Sequence, residues 1–141
     1  MIKTVLFACN LNSVRSPMAA ALLRAEAQGA LKVDSAGVYE GGLDPFVEKV
    51  LAEIGVSLEG HEPKPMRALD LSTFDLTVVL TPEAAAEARR YLPREKIEFW
   101  PIDNPSDARG GQEDILDAYR AVRDDLRKRL AARFPEFHQK P

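Results

Sequence analysis

The chain has one cysteine, two histidines and one tryptophan, and no long apolar run. A single thiol, Cys9, excludes an internal disulfide and any cysteine zinc site. It fits a reducing compartment, where a reactive thiol survives. The longest apolar runs are far too short to cross a membrane. Val5-Leu6-Phe7-Ala8 is too brief for the apolar segment of a signal peptide, so a cytoplasmic location is expected. Net charge is −3, which gives no broad attraction to nucleic acid or to an anionic membrane. A positive site must therefore be assembled from specific groups. No repeat, low-complexity tract or linker divides the 141 residues, so one domain over 1–141 is expected, with a polar tail from about residue 135.

What the chain does have is concentrated near its start. Cys9 and Arg15 are separated by five residues, after the apolar run Thr4-Val5-Leu6-Phe7-Ala8 and before Ser16-Pro17. Ser16 reads as a helix N-cap and Pro17 as the first helical residue. The stretch therefore reads strand, tight loop, helix. A loop feeding a helix N-terminus aims unpaired backbone N–H groups at one point. Those donors and the helix dipole favour an anion there, whether a bound oxyanion or a thiolate. Arg15 can hold two oxyanion oxygens with its planar fork. The pattern suits binding a tetrahedral oxyanion and attacking it with sulfur.

Further along, elements alternate. Strands are expected at Thr4–Ala8, Leu31–Ser35, Leu76–Leu80 and Ile97–Trp100. Helices are expected at about Pro17–Gln28, from Asp44-Pro45 to Gly55, from Thr81-Pro82 to Tyr91, and over Glu113–Arg133. Phe46, Val47, Val50, Leu51 and Ile54 form the second helix's apolar stripe. Ile115, Tyr119, Val122, Leu126 and Leu130 form the last one's, whose Arg and Asp residues mostly read as a solvated face. Such alternation argues for an α/β fold with a parallel sheet covered on both faces. The ends of strands one, two and four then converge on one edge.

These residues resemble the low-molecular-weight protein tyrosine phosphatases and the related thioredoxin-coupled arsenate reductases over nearly the whole chain. The resemblance implies a three-layer, flavodoxin-like domain with a four-stranded parallel sheet (phosphotyrosine phosphatase I-like). It implies Cys9 as nucleophile and Arg15 as oxyanion ligand. Asn10, Leu11, Asn12, Ser13, Val14, Arg15 and Ser16 then form the phosphate loop. Asn12 matches a family asparagine with left-handed backbone. Ser35-Ala36-Gly37 and the segment from Gly55 to His61 match further family segments, so Asn12, Ser16, Ser35 and His61 are expected to hydrogen-bond together and stiffen the loop. His138, in the polar tail, reads as incidental.

Departures from the pattern are equally specific. Leu11 stands where the family has glycine, and Val14 where many members carry a second cysteine. Without further cysteines, self-contained arsenate reduction is excluded. In Trp100-Pro101-Ile102-Asp103-Asn104-Pro105-Ser106-Asp107, Asn104 replaces the family's acid before proline, and Ser106 replaces its aromatic. Asp103 is the expected substitute acid, with Asp107 second, and Tyr39 or Trp100 could supply a flat wall. The leading expectation is a cysteine-dependent phosphatase acting on a phosphorylated protein or small phosphate ester, with inorganic phosphate as product and inhibitor. It would need no metal or cofactor. The alternatives are an arsenate reductase using an external small thiol, and a phosphate- or phosphoprotein-binding module without turnover.

Overall fold

The computed structural model describes residues 1–58 and 60–138; Glu59 and the last three residues of the expected polar tail lie outside the described residues. Four strands, β1 (Thr4–Cys9), β2 (Lys32–Gly37), β3 (Leu76–Val79) and β4 (Ile97–Phe99), form one parallel sheet in the order β2-β1-β3-β4. β1 is central. Its residues pair from Thr4 with Lys32 to Cys9 with Gly37 on one side, and from Val5 with Leu76 on the other. Being covered on both faces, it is apolar at nearly every position, as buried parallel strands are.

Helices α1 (Arg15–Ala27), α2 (Pro45–Ala52) and α4 (Gln112–Arg133) cover one face, and α3 (Pro82–Arg89) covers the other. On the first face Val5, Phe7, Val78 and Leu80 pack with Met18, Leu22, Val50, Leu51, Tyr119 and Leu126. On the second, Leu6, Ala8 and Val79 pack with Ala84, Ala85 and Ala88. The alanines let α3 lie close to the sheet. The expected three-layer α/β architecture is present.

Two helix starts follow directly from local chemistry. Asp44 caps α2 by accepting from the Phe46 N–H at 2.9 Å, with Pro45 next. Thr81 caps α3 by accepting from the Ala84 N–H at 3.0 Å. Gly55, at φ +73°, follows α2 as expected.

Elsewhere tertiary contacts overrule the local reading. Arg123 is not on a solvated face. It is 8% exposed, and its Nη1 donates to the Val50 carbonyl and to Glu53, both at 2.8 Å. It thereby satisfies a carbonyl in the last turn of α2, which packs against α4. The segment after residue 135 is also not wholly a polar tail. Pro135–Phe137 forms a helical turn, Phe137 packs on the core, and His138 pairs with Glu26 of α1. No described helix is long and apolar enough to cross a membrane.

Leu126 is fully buried where α4 meets the core. Leu126→Ala is expected to lower unfolding free energy by about 2–5 kcal/mol, read from urea denaturation. Tyr39→Ser, at a position 64% exposed, should change it by less than about 0.5 kcal/mol. Equal effects of the two substitutions would contradict this core assignment.

Candidate active site

Cys9 ends β1 and is 2% exposed. Residues 10–14 turn over it, and α1 begins at Arg15, not at Pro17. Ser16 is therefore not the N-cap. It lies in the first turn, fully buried, and Val14 precedes the helix without a capping side chain. The reason is competition for the Ser16 hydroxyl. It lies 3.0 Å from Cys9 Sγ, accepts from Asn12 Nδ2 at 2.8 Å and donates to the Ala36 carbonyl at 3.2 Å. With no side-chain cap, the first-turn N–H groups stay available to an anion. Ser16 has one proton to give. Both Cys9 Sγ and the Ala36 carbonyl lie within reach of that proton.

Asn12 shapes the loop. Its backbone is left-handed, at φ 56°, as the resemblance implies, and asparagine tolerates that region. Its side chain donates to Ser16 and accepts from the Lys64 N–H at 3.1 Å. Its carbonyl lies 2.9 Å from His61 Nε2. A carbonyl can only accept, so Nε2 carries the proton. Three of the four expected supports thus meet. Ser35 does not join them: its Oγ is buried without a hydrogen-bond partner among the described residues, and Ser16 bonds instead to the backbone of the next residue, Ala36. Leu11 needs no glycine-like backbone, because the left-handed residues at this edge do not include it.

A strap from β2 braces the loop from outside. Val38, Tyr39 and Gly41 N–H groups donate to the carbonyls of Cys9, Asn10 and Leu11 at 2.9, 2.8 and 2.8 Å. The approach requires glycine at two places. A Cβ at Gly37 would sit 2.4 Å from the Tyr39 carbonyl oxygen and 2.7 Å from the Asn12 nitrogen. One at Gly41 would sit 2.6 Å from Ser13 Oγ and 2.8 Å from Leu11 Cβ. β3 and β4 contribute from the other side. Thr81 Oγ1 donates to Asn10 Oδ1 at 2.6 Å, and Arg15 Nη1 donates to the Ile102 carbonyl at 3.0 Å.

A cavity of about 460 Å³ opens over Cys9, lined by Asn10, Leu11, Ser13, Val14 and Arg15 from the loop. Its other walls are Gly42, Leu43 and Asp44 on one side and Asn104 and Ser106 on the other. Asp103 and Asp107 are not among them. They line an adjoining cavity shared with Asn10, Arg15 and Asn104. The turn Pro105–Asp107 explains this placement. Asn104 caps it, accepting from the Ser106 N–H at 3.1 Å and hydroxyl at 2.8 Å, and this presents Asn104 and Ser106 to the Cys9 side. The expected flat walls are also absent from the cavity lining. Trp100 packs on Phe7, with ring centroids 6.0 Å apart, and apolar Leu11 and Leu43 stand at the Cys9 cavity instead. Among the described residues no three His, Cys, Asp or Glu side chains cluster as a metal site requires.

Asp44, Thr81 and the strap were not legible as parts of the site. Asp44 and Thr81 read as helix caps, and both are; each cap also faces the sheet edge where the loop lies. Gly41-Gly42 just before Asp44 was the available signal for close backbone approach.

The chain belongs to the low molecular weight phosphotyrosine protein phosphatase family, whose model matches residues 4–140. It is 32% identical to an arsenate reductase of Bacillus subtilis (strain 168), over 91% of this chain and 92% of that protein. It is 35% identical to a low molecular weight protein-tyrosine-phosphatase of Streptomyces coelicolor, over 92% of this chain and 86% of that protein. The structure of the tyrosine phosphatase Wzb from Escherichia coli K30, in complex with sulphate, superposes with a TM-score of 0.75 at 25% identity, covering 94% of this chain and 99% of that one. The family is one of enzymes, and its members similar to this chain divide between two activities.

Two outcomes test the loop's construction. Gly37→Ala must displace backbone, since the three nearest neighbours of the new Cβ are all backbone atoms. It should lower Tm and move the amide resonances of residues 9–15; a spectrum unchanged there would contradict the strap. The second concerns His61, whose pKa lies below its usual 6.5, first because of burial and then because of the Lys64 and Arg24 charges. Folding therefore favours neutral His61. Its contribution to stability is complete above about pH 6.5 and is lost as pH falls through the lower folded value. Urea denaturation across this range should show stability falling with acid, less steeply in His61→Gln.

Proposed function

We propose that this chain is a cysteine-dependent phosphatase that hydrolyses phosphate monoesters through a phosphocysteine. The observation that carries the reading is the position of Cys9 Sγ, 3.0 Å from the Ser16 hydroxyl, in one cavity with the loop residues and Arg15. Asn10 to Ser16 would hold the phosphoryl oxygens with backbone N–H groups, and Arg15 would pair with two of them. The thiolate would attack phosphorus in line, forming the S–P bond as the ester P–O bond breaks. Ser16 would then donate to the sulfur as it becomes the leaving group, and water would release inorganic phosphate. Asn12, with His61 behind it, would act by keeping the loop's shape. The substrate class is a phosphorylated protein or a small phosphate ester.

Asn104 gives the reading a definite kinetic character. Its amide cannot protonate a leaving oxygen, and Asp103 and Asp107 line the adjoining cavity. General acids contribute about 10²–10⁴-fold, so the enzyme should favour esters with good leaving groups.

A second reading is arsenate reduction with an external small thiol. The relatives named arsenate reductase favour it. Cys9 would form an S–As bond as water leaves. An external thiol would attack the sulfur, passing two electrons to arsenic and releasing arsenite, and a second thiol would free Cys9 from the mixed disulfide. The lone cysteine favours hydrolysis, which needs only water, over a reduction that must borrow both further thiols.

Steady-state hydrolysis of an aryl phosphate should vanish in Cys9→Ser, while the serine variant still binds inorganic phosphate by calorimetry. Wild-type turnover in Cys9→Ser would refute the covalent mechanism. Arsenate turnover with glutathione or mycothiol, without ester hydrolysis, would select the second reading. In Asn104→Asp, kcat for esters with poor leaving groups should rise by about tenfold or more, and little for activated esters. Equal changes for both ester types would show that the loop after β4 does not face the leaving group.

A further inference from the structure

One carboxylate lines the Cys9 cavity among the described residues, and it stands in a site otherwise suited to a doubly charged anion. We propose that Asp44 makes this site select by charge the group carried on the bound oxyanion, favouring neutral apolar or cationic leaving groups over those bearing a carboxylate. The inference rests on the oxyanion-site reading above and names the substrate class of that site.

The charge is fixed in place. Asp44 Oδ1 accepts from the Phe46 N–H at 2.9 Å, and Oδ2 accepts from the Tyr119 hydroxyl at 2.7 Å. Both partners donate, one to each carboxylate oxygen. Tyr119 is 2% exposed, and burial together with Asp44 pushes its hydroxyl well above the usual tyrosine value, so it stays a donor. The two hydrogen bonds therefore hold the Asp44 carboxylate in a fixed direction at the cavity wall.

Its effect falls on the leaving group. In-line attack places the leaving group opposite the sulfur, away from the buried Cys9 and toward the outer walls. There it meets Leu11 and Leu43, which are apolar yet 48% and 65% exposed, together with Asp44. Asn104 and Ser106 on the facing wall are uncharged, so among the described residues no cation opposite balances Asp44 for a group in this position. Among the described residues Arg15 is the one cation in the lining; it sits in the loop with Nη1 anchored to Ile102. Asp103 and Asp107, in the adjoining cavity, add charge of the same sign. The N-terminus of α2 offsets part of Asp44's charge, by up to about half a unit. The cavity is open to water, so a charge several ångströms away feels a high effective dielectric. Ammonium- and carboxylate-bearing groups should then differ in affinity by roughly tenfold.

The test uses wild-type protein and non-hydrolysable probes: inorganic phosphate, benzylphosphonate, and benzylphosphonates with a para ammonium-methyl or para carboxylate group. Affinities are measured by calorimetry at low and high sodium chloride. The expected order is ammonium, then neutral, then carboxylate, with the roughly tenfold span shrinking toward unity as salt rises. In Asp44→Asn, which keeps a good capping residue, the low-salt span should narrow at least threefold. A span near unity in the wild type at low salt, or an equal span in Asp44→Asn, overturns the proposal. Failure to bind inorganic phosphate overturns the oxyanion-site reading, and the proposal with it. If Asp44→Asn does not fold by circular dichroism, the wild-type salt series decides alone, because a span that does not respond to salt rules out charge selection.

Discussion

Asn12 holds the site together. One residue supplies a left-handed turn, a donor to Ser16, an acceptor for the Lys64 N–H and a carbonyl for His61. Removing any of these contacts leaves a polar group unpaired in a region where the loop is nearly closed to water, which is costly. The loop is therefore shaped before any oxyanion arrives. Preorganised donors cost no rearrangement at the moment of reaction, and this is where electrostatic catalysis gains its strength.

The sheet makes that arrangement possible. β1 is central, with β2 and β3 on either side, so the loop after it is reached from both neighbours. From β2 come Ala36, which accepts from Ser16, and the strap that begins at Gly37. From β3 comes Thr81, and from the segment after β4 come Ile102 and the wall formed by Asn104 and Ser106. Asp44 joins from the start of α2, tied through Tyr119 to α4. Each wall is anchored in a different part of the core, so the cavity's shape depends on the whole fold.

Much of this was legible in the sequence where the cause is local. Cys9, Arg15 and the strand before them are close in the chain, and Asp44-Pro45 and Thr81-Pro82 are short-range capping signals that the structure contains. Reading failed where a distant group competes. Ser16 looks like a cap by every local rule, but sulfur, Asn12 and Ala36 claim its hydroxyl first. Arg123 looks like a surface charge until the end of α2 is laid against it. Asp103 was the nearest carboxylate in sequence, yet a loop has no periodicity to say which side a residue faces. The Asn104 cap decides that instead. His138 read as incidental because nothing near it in the chain points to Glu26.

The most direct test of the account is to quench the protein in acid within its first turnover of an activated aryl phosphate and measure its intact mass and its peptides. The account requires one phosphoryl group on the protein, located on Cys9, appearing as the phenol is released and lost as inorganic phosphate forms. Phenol release with no protein-bound phosphoryl group, or with the group on a residue other than Cys9, would contradict it.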